Sequence, residues 1–112
     1  MTDCVFCRIV AGELPSDVVR ETDRVMAFRD LAPSAPTHVL VVPRHHYANL
    51  GELAAADPAL AGELAVVAAE VAAAAGVSAG WRLVFNTGAE AGQSVFHVHG
   101  HVLGGRPMRL LG

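Results

Sequence analysis

Three of the six histidines alternate with other residues in one short run, His97-Val98-His99-Gly100-His101. Such alternation predicts a β-strand, because successive side chains of a strand point to opposite faces of a sheet. The strand is expected over residues 95–103 and places the three imidazoles on one face, about 6.6–6.8 Å of strand rise apart. A polar strand face with ordinary hydrogen bonds is the plainer alternative. Imidazoles are costly to bury unpaired, so the pattern indicates metal binding or chemistry near neutral pH.

Four further segments have strand patterns. Residues 18–20 and 25–30 flank a polar turn of hairpin length, and residues 38–43 form a third, β-branched run. We expect these three segments to be adjacent antiparallel strands. Residues 81–86 predict a fourth strand, which the glycine-rich, polar residues 87–94 separate from the histidine strand.

An alanine-rich segment between the third and fourth strands predicts one long helix. Asp57 suits the N-cap, Pro58 the first turn and Gly76 the end of this helix. Apolar residues spaced by three or four give the helix one stripe for packing. Residues 7–11 predict a short helix near the N-terminus. The order of elements indicates an α+β fold, a five-stranded antiparallel sheet with one long and one short helix on one face.

The length and charge of the chain narrow the classes of function. Its 112 residues suit a single domain, residues 1–112, whose core needs no disulfides. No apolar run approaches the ~20 residues of a membrane span, and no secretory signal is visible, so we expect a cytoplasmic protein without membrane contact. The net charge of −3 and the eight scattered arginines argue against nucleic acid as a partner but allow a small anionic ligand.

The two cysteines, Cys4 and Cys7, are separated by two residues. In a reducing compartment this spacing favours metal binding or redox exchange over a structural disulfide. Two thiolates complete only half of a tetrahedral zinc site, so a metal would need two more ligands from elsewhere in the chain.

The histidine strand and five other segments resemble the histidine triad (HIT) family in its Hint branch, the purine nucleoside phosphoramidases, and the match runs through nearly the whole chain. Fhit-like dinucleoside polyphosphate hydrolases of this family usually have a proline soon after the triad, where this chain has Gly104 and Gly105. Many Hint-branch proteins have a tryptophan shortly after the segment that ends here at Met108. This chain lacks it, so the preference for a particular leaving amine stays open. The matching segments are residues 5–7, 27–30, 35–38, 92–96 and 103–106.

The resemblance implies a HIT-like enzyme that hydrolyses the P–N bond of purine nucleoside 5′-phosphoramidates. It implies a covalent nucleotidyl-His99 intermediate, with His101 near the phosphate oxygens or the leaving group and His38 behind both rings. It also implies a homodimer in which the two sheets form a larger continuous sheet. Two alternatives stay open, a dinucleoside polyphosphate hydrolase and a non-catalytic nucleotide-binding or zinc-stabilised interaction module.

The family resemblance also suggests which residues contact the substrate. Asp30 matches the carboxylate that binds the ribose hydroxyls, and Leu31 follows it. A phosphoryl group needs donors, which Asn86 and the loop residues Gly92, Gln93 and Ser94 could supply. The base would contact apolar side chains, which include Phe6, Phe28 and Leu40.

Some family members bind structural zinc through a cysteine pair, a histidine after the third strand and the first histidine of the triad. The matching positions here are Cys4, Cys7, His46 and His97, with His45 as the competitor of His46. Zinc on His97 would make that residue a scaffold and leave the chemistry to His99 and His101.

Overall fold

A computed structural model describes residues 3–110 as an antiparallel sheet of five strands, in the order β1-β2-β3-β5-β4. The predicted five-stranded antiparallel fold is confirmed. The strands are β1 (Val18–Glu21), β2 (Val25–Arg29), β3 (Thr37–Pro43), β4 (Trp81–Phe85) and β5 (Gly100–Gly104). The helices are α1 (Val5–Val10), α2 (Leu50–Ala56) and α3 (Pro58–Ala74).

The central strands alternate buried side chains between two apolar layers. On one face, residues such as Ala27 and Val41 pack in the core that includes Leu64 of α3. On the other face, Phe28 and Leu40 pack with Phe6 of α1. The prediction that both helices lie on one face is therefore wrong, because strands that are apolar on both sides need a cover on each.

Helix α3 begins and ends close to its predicted positions, with Asp57 accepting a hydrogen bond from the Leu60 N–H at 3.1 Å. The helix α2 before it was not predicted. Asn49 caps α2 by accepting from the Glu52 N–H at 2.9 Å, and the Glu52 side chain accepts from the Ala48 N–H at 3.1 Å. The two bonds resemble a capping box, except that Glu52 accepts from the residue before the N-cap rather than from the N-cap itself.

The last strand is shorter than predicted, because β5 begins at Gly100 rather than at residue 95. Its pairing with β3 ends where Val41 lies opposite Gly100. Two residues earlier the Val98 N–H donates to the Tyr47 carbonyl at 2.7 Å, so the chain has left the ladder. The predicted faces are kept nonetheless, since Val98 and Val102 lie in the α3 core and the His97 and His99 rings contact Phe6.

Among the described residues, no helix has the length and apolar character needed to cross a bilayer.

Candidate active site

A cleft of about 260 Å³ opens between α1 and the sheet, beside the histidine run. It contains the polar groups His99, His101, Asp30 and Ser94 and an apolar wall. The predicted apolar contacts lie in that wall, and Leu31 lies at the rim with 97% of its surface exposed. The apolar wall consists mainly of Val5, Phe6, Ile9, Phe28, Leu40 and Val95.

A larger cavity, of about 670 Å³, lies between β1, the start of β3 and the end of α3. It meets the cleft at Asp30 and contains His38, but neither His99 nor His101. The chemistry therefore belongs to the smaller cleft.

His99 is 8% exposed and is fixed by one hydrogen bond. Its Nδ1 lies 2.8 Å from the carbonyl oxygen of His97. A carbonyl can only accept, so Nδ1 carries the proton and donates it. In the neutral ring Nε2 then has a free lone pair, and the ring lines the cleft. The aromatic edge contact with Phe6, at 5.0 Å between ring centres, holds the ring from the other side.

Contact with His38 gives His101 the tautomer opposite to that of His99. The Ser34 N–H donates to Nδ1 of His38 at 2.9 Å, so the neutral His38 carries its proton on Nε2. That Nε2–H lies 2.9 Å from Nδ1 of His101 and donates to it. His101 therefore has its proton on Nε2, and its remaining polar atom is a hydrogen-bond donor.

The cleft thus contains two neighbouring imidazoles with opposite functions. The ring centres of His99 and His101 are 4.9 Å apart. One ring can offer a lone pair to an electrophile, and the other can donate a hydrogen bond to an anionic oxygen or a leaving group. This combination suits nucleophilic attack on a phosphoryl group.

Burial keeps the histidines behind and beside His99 neutral. It lowers the pKa of His101 to about 4, with further lowering by His99 and His38 against the opposing carboxylate of Asp30. Burial also lowers the pKa of His38, although Asp30 raises it. At pH 7 both rings are neutral, as the two tautomer assignments require.

Asp30 lines the cleft beside His38. One of its oxygens accepts from the Ala32 N–H at 2.8 Å. The other lies 3.4 Å from Nε2 of His38. The carboxylate lines the cleft and is partly exposed, so a ligand can reach it.

The predicted phosphate donor Gln93 is turned into the loop and does not line the cleft. It is only 4% exposed. Its amide NH₂ donates to the carbonyls of Ala48 at 2.7 Å and Val95 at 3.0 Å, and its amide oxygen accepts from the Gly88 N–H at 2.9 Å. The side chain therefore stabilises the loop and has no donor left for a ligand.

The rest of the predicted donor loop is divided between the cleft and its surroundings. Ser94 lines the cleft and is exposed. Asn86 and Gly92 lie beside each other, since a Cβ on Gly92 would be 3.9 Å from Nδ2 of Asn86, but they are not part of the cleft wall. Gly92 has φ of 93°, so a turn conformation explains this glycine.

A second cluster lies on the other side of His97, where Cys4, Cys7, His46 and His97 bring one ligand atom each within 4.8 Å of one another. Helix α1 begins here, because the Cys4 sulfur accepts from the Cys7 N–H at 3.4 Å. His45 lies outside the cluster and its ring contacts Tyr47. These four residues can hold a metal ion. Of the two neighbouring candidates, His46 rather than His45 belongs to the cluster.

The distances within the cluster fit a tetrahedral zinc site. With Zn–S near 2.3 Å and Zn–N near 2.0 Å, the edges of the tetrahedron are about 3.5 Å between S and N and about 3.3 Å between two nitrogens. Nδ1 of His97 lies 3.5 Å from both cysteine sulfurs and 3.2 Å from Nδ1 of His46. Sγ of Cys7 lies 3.3 Å from Nδ1 of His46.

His97 has the protonation state of a metal ligand. It is fully buried, and its Nε2–H donates to the Pro43 carbonyl at 2.8 Å, which leaves the Nδ1 lone pair toward the cluster. Burial lowers the pKa of His97 to about 4 despite that hydrogen bond. Asp30, His38 and His101 also lie close enough for a metal, but the His38–His101 hydrogen bond already uses the facing nitrogens.

The sequence analysis missed three groups that support these histidines. Two are backbone groups, the Ser34 N–H and the Pro43 carbonyl, which no side-chain pattern reveals. The third is Arg106, whose guanidinium donates to the Ser34 carbonyl at 2.8 Å.

The HIT domain family matches residues 11–108 of the chain. A purine nucleoside phosphoramidase of Escherichia coli K12 is 40% identical over 107 residues, which cover 95% of this chain and 90% of that protein. A HIT family hydrolase from Legionella pneumophila has a crystal structure similar to this one with a TM-score of 0.92, at 44% identity and 96% coverage of both chains. A histidine triad protein from Clostridium difficile gives a TM-score of 0.93 at 40% identity, with 100% of this chain and 98% of that chain covered. These findings confirm the predicted family and enzyme class: the chain belongs to the HIT family and is a HIT family hydrolase.

Proposed function

We propose that the protein hydrolyses the P–N bond of purine nucleoside 5′-phosphoramidates. The observation that carries this proposal is the 2.8 Å hydrogen bond from Nδ1 of His99 to the His97 carbonyl, which leaves an imidazole lone pair in the cleft. A phosphoramidase that is 40% identical over 95% of the chain supports the same substrate class.

The reaction takes place in two displacements at phosphorus. Nε2 of His99 attacks phosphorus, the bond from phosphorus to the amine breaks, and the amine leaves with the bonding electron pair and takes up a proton from solvent. Water then attacks phosphorus and gives up a proton to solvent, the bond from phosphorus to His99 breaks with its electron pair returning to Nε2, and the nucleoside monophosphate leaves. Because the pKa of His101 is about 4, its Nε2–H stabilises the phosphoryl oxygens or the leaving nitrogen as a hydrogen-bond donor from a neutral ring.

The remaining cleft residues suit one nucleoside and one phosphate. Phe6, Phe28 and Leu40 offer an apolar surface to a purine, and Asp30 offers lone pairs to the two ribose hydroxyls. Among residues 3–110, Arg29 is the one arginine that lines the cleft, and its guanidinium lies 3.0 Å from the Asp17 carboxylate. A long polyphosphate would find little positive charge here, which disfavours the dinucleoside polyphosphate alternative.

We propose zinc as the metal of the cysteine–histidine cluster, in a structural role. Four protein ligands fill a tetrahedral site and leave no position open for water, which distinguishes structural zinc from catalytic zinc. The metal would hold α1 and the Phe6 side chain beside His99.

A homodimer with a continuous sheet and a cytoplasmic location stay predictions. The sheet order supports the first, because β4 lies at the edge of the sheet and pairs only with β5 within residues 3–110. An open edge can accept a strand from another chain.

The test is to trap the covalent intermediate. The protein is mixed with a purine nucleoside phosphoramidate labelled at phosphorus and quenched in denaturant at alkaline pH, where the imidazole P–N bond survives. We expect label on the peptide that contains His99, and a kcat/KM for the phosphoramidate well above that for a dinucleoside tetraphosphate. Turnover without a labelled peptide would contradict the mechanism, and faster tetraphosphate cleavage would favour the alternative substrate.

A further inference from the structure

The chain after β5 turns back over the loop that precedes β3. Gly105 has φ of +95° and lies so close to the loop that a Cβ would be 2.9 Å from Cβ of Pro36. The next residue, Arg106, donates from Nη2 to the Ser34 carbonyl at 2.8 Å and from Nη1 to its neighbour, the Pro107 carbonyl, at 3.1 Å. The C-terminal segment therefore holds the loop at Ser34.

Ser34 is exposed, yet its N–H is the donor that fixes the tautomer of the buried His38. A shift of this loop would withdraw the donor from Nδ1 of His38. The proton of that ring could then move to Nδ1, which makes Nε2 an acceptor. His101 would have to donate from its own Nδ1, and an unprotonated Nε2 would face the cleft.

We propose that Arg106 is a positioning residue for the hydrolytic reaction, acting through Ser34 and His38 on the tautomer of His101. Three hydrogen bonds of 2.8–2.9 Å connect the Arg106 guanidinium to the ring that lines the cleft. The first two have a fixed direction, because a carbonyl only accepts and a backbone N–H only donates. The direction of the third, between the two imidazoles, follows from the tautomer that the Ser34 N–H sets on His38. Without the Arg106 bond the Ser34 loop can shift, and the His101 tautomer that then gains population places a lone pair, instead of an N–H, beside the phosphate oxygens.

The chain offers a matched control for this residue. Arg82 donates from Nη2 to the Arg109 carbonyl at 2.7 Å, so it also holds the C-terminal segment by a guanidinium-to-carbonyl hydrogen bond. Arg82 contacts neither the Ser34 loop nor a histidine of the cleft in these hydrogen bonds. Arg82→Gln therefore removes the same chemical contact without the connection to His101.

The experiment compares Arg106→Gln, Arg106→Lys and Arg82→Gln with the unchanged protein. Long-range ¹H–¹⁵N correlation spectra report the tautomers of His38 and His101 without substrate, and steady-state kinetics report kcat and KM for the phosphoramidate. In Arg106→Gln we expect partial loss of the Nε2–H tautomer of His101 and a fall in kcat of about 10-fold, with KM changed less than about 2-fold. Arg106→Lys keeps one donor group, so its tautomer populations and kcat should lie between those of Arg106→Gln and the unsubstituted protein. Arg82→Gln should match the unsubstituted protein in both.

Unchanged tautomers in Arg106→Gln would overturn the proposal, as would an equal loss of activity in Arg82→Gln. A kcat loss that follows the loss in thermal stability, without a tautomer change, would also overturn it by showing a merely structural role. The turnover measurement rests on the proposed phosphoramidase function, whereas the spectra do not. If the protein without substitutions had no phosphoramidase activity, the proposed function would be refuted. The spectra alone would then decide the role of Arg106.

Discussion

Replacement of His99 should separate catalysis from stability, because the two ring nitrogens have different functions. His99→Ala and His99→Asn both lack the attacking nitrogen. Loss of a nucleophile can lower kcat by as much as about 10⁶-fold, equal to about 8 kcal/mol of transition-state stabilisation. We expect this loss in both variants.

The stability of the two variants should differ. Alanine leaves the His97 carbonyl, part of a fully buried residue, without its donor at 2.8 Å, which costs about 1–3 kcal/mol. It also removes the ring contact with Phe6 at 5.0 Å, worth about 0.5–1.5 kcal/mol beyond the area buried. We therefore expect His99→Ala to lose about 2–4 kcal/mol. Asparagine can still donate from its amide NH₂ to that carbonyl and should lose less.

The assay combines urea denaturation of both variants with single-turnover kinetics on the phosphoramidate. The expected result is equal loss of turnover with unequal loss of stability. If His99→Asn kept turnover within tenfold of the unchanged protein, the nucleophile would have to be another group. If alanine and asparagine were equally destabilising, the hydrogen bond to the His97 carbonyl would not fix the ring as we describe.

Three other outcomes follow from the site. Protein purified without chelator should contain one zinc per chain, and the double variant Cys4→Ser, Cys7→Ser should contain none; full retention of zinc by that variant in metal analysis would refute the assignment. Asp30→Asn should weaken the preference for ribose over 2′-deoxyribose, which for a carboxylate bound to both hydroxyls is about 5- to 150-fold in kcat/KM, and an unchanged ratio would remove Asp30 from the ribose site. The folded-state pKa of His101, about 4, lies below the unfolded value near 6.5, so its contribution to stability is complete above pH 6.5 and is lost as the pH falls to 4. Between these values the free energy of unfolding should depend on pH less steeply in His101→Asn, by up to about 1.4 kcal/mol per pH unit, and equal slopes would contradict the lowered pKa.

Alternation along the histidine run was sufficient to predict faces but not the extent of the strand. Side chains keep to their faces outside the ladder, so Val98 joins the α3 core although pairing starts only at Gly100. The strand begins late because Val98 donates to Tyr47 and the Pro43 carbonyl accepts from the His97 ring. Such hydrogen bonds to distant backbone groups have no local pattern in the sequence.

Gly100 shows the same limit at a single position. A Cβ there would lie 2.8 Å from both Leu83 and Phe85 of the neighbouring strand. The glycine between two histidines thus leaves room for the ends of two side chains that are 15 or more positions away in the chain. The histidine pattern predicts a reactive or metal-binding strand. The space available at the glycine within it is known only once the neighbouring strand is paired.

Gln93 was predicted as a ligand donor because a polar amide in a glycine-rich loop suits a phosphate. The structure uses the same amide to hold the loop together through three hydrogen bonds. Helix α2 does have a local signal, because Asn49 and Glu52 have the N-cap and third-position spacing, but it is weaker than the Asp57-Pro58 signal that follows and was not predicted. Asp57 in fact ends α2 and caps α3.

Three histidines of one short run have three different hydrogen-bonding arrangements. A carbonyl on Nε2 of His97 turns Nδ1 toward the cysteine cluster, and a carbonyl on Nδ1 of His99 turns Nε2 toward the cleft. His101 faces a donor instead, the Nε2–H of His38, and so keeps its own proton on Nε2. In a neutral imidazole one hydrogen bond decides the character of both nitrogens. The proposed division into metal ligand, nucleophile and donor therefore depends on three partners that the histidine pattern itself does not contain.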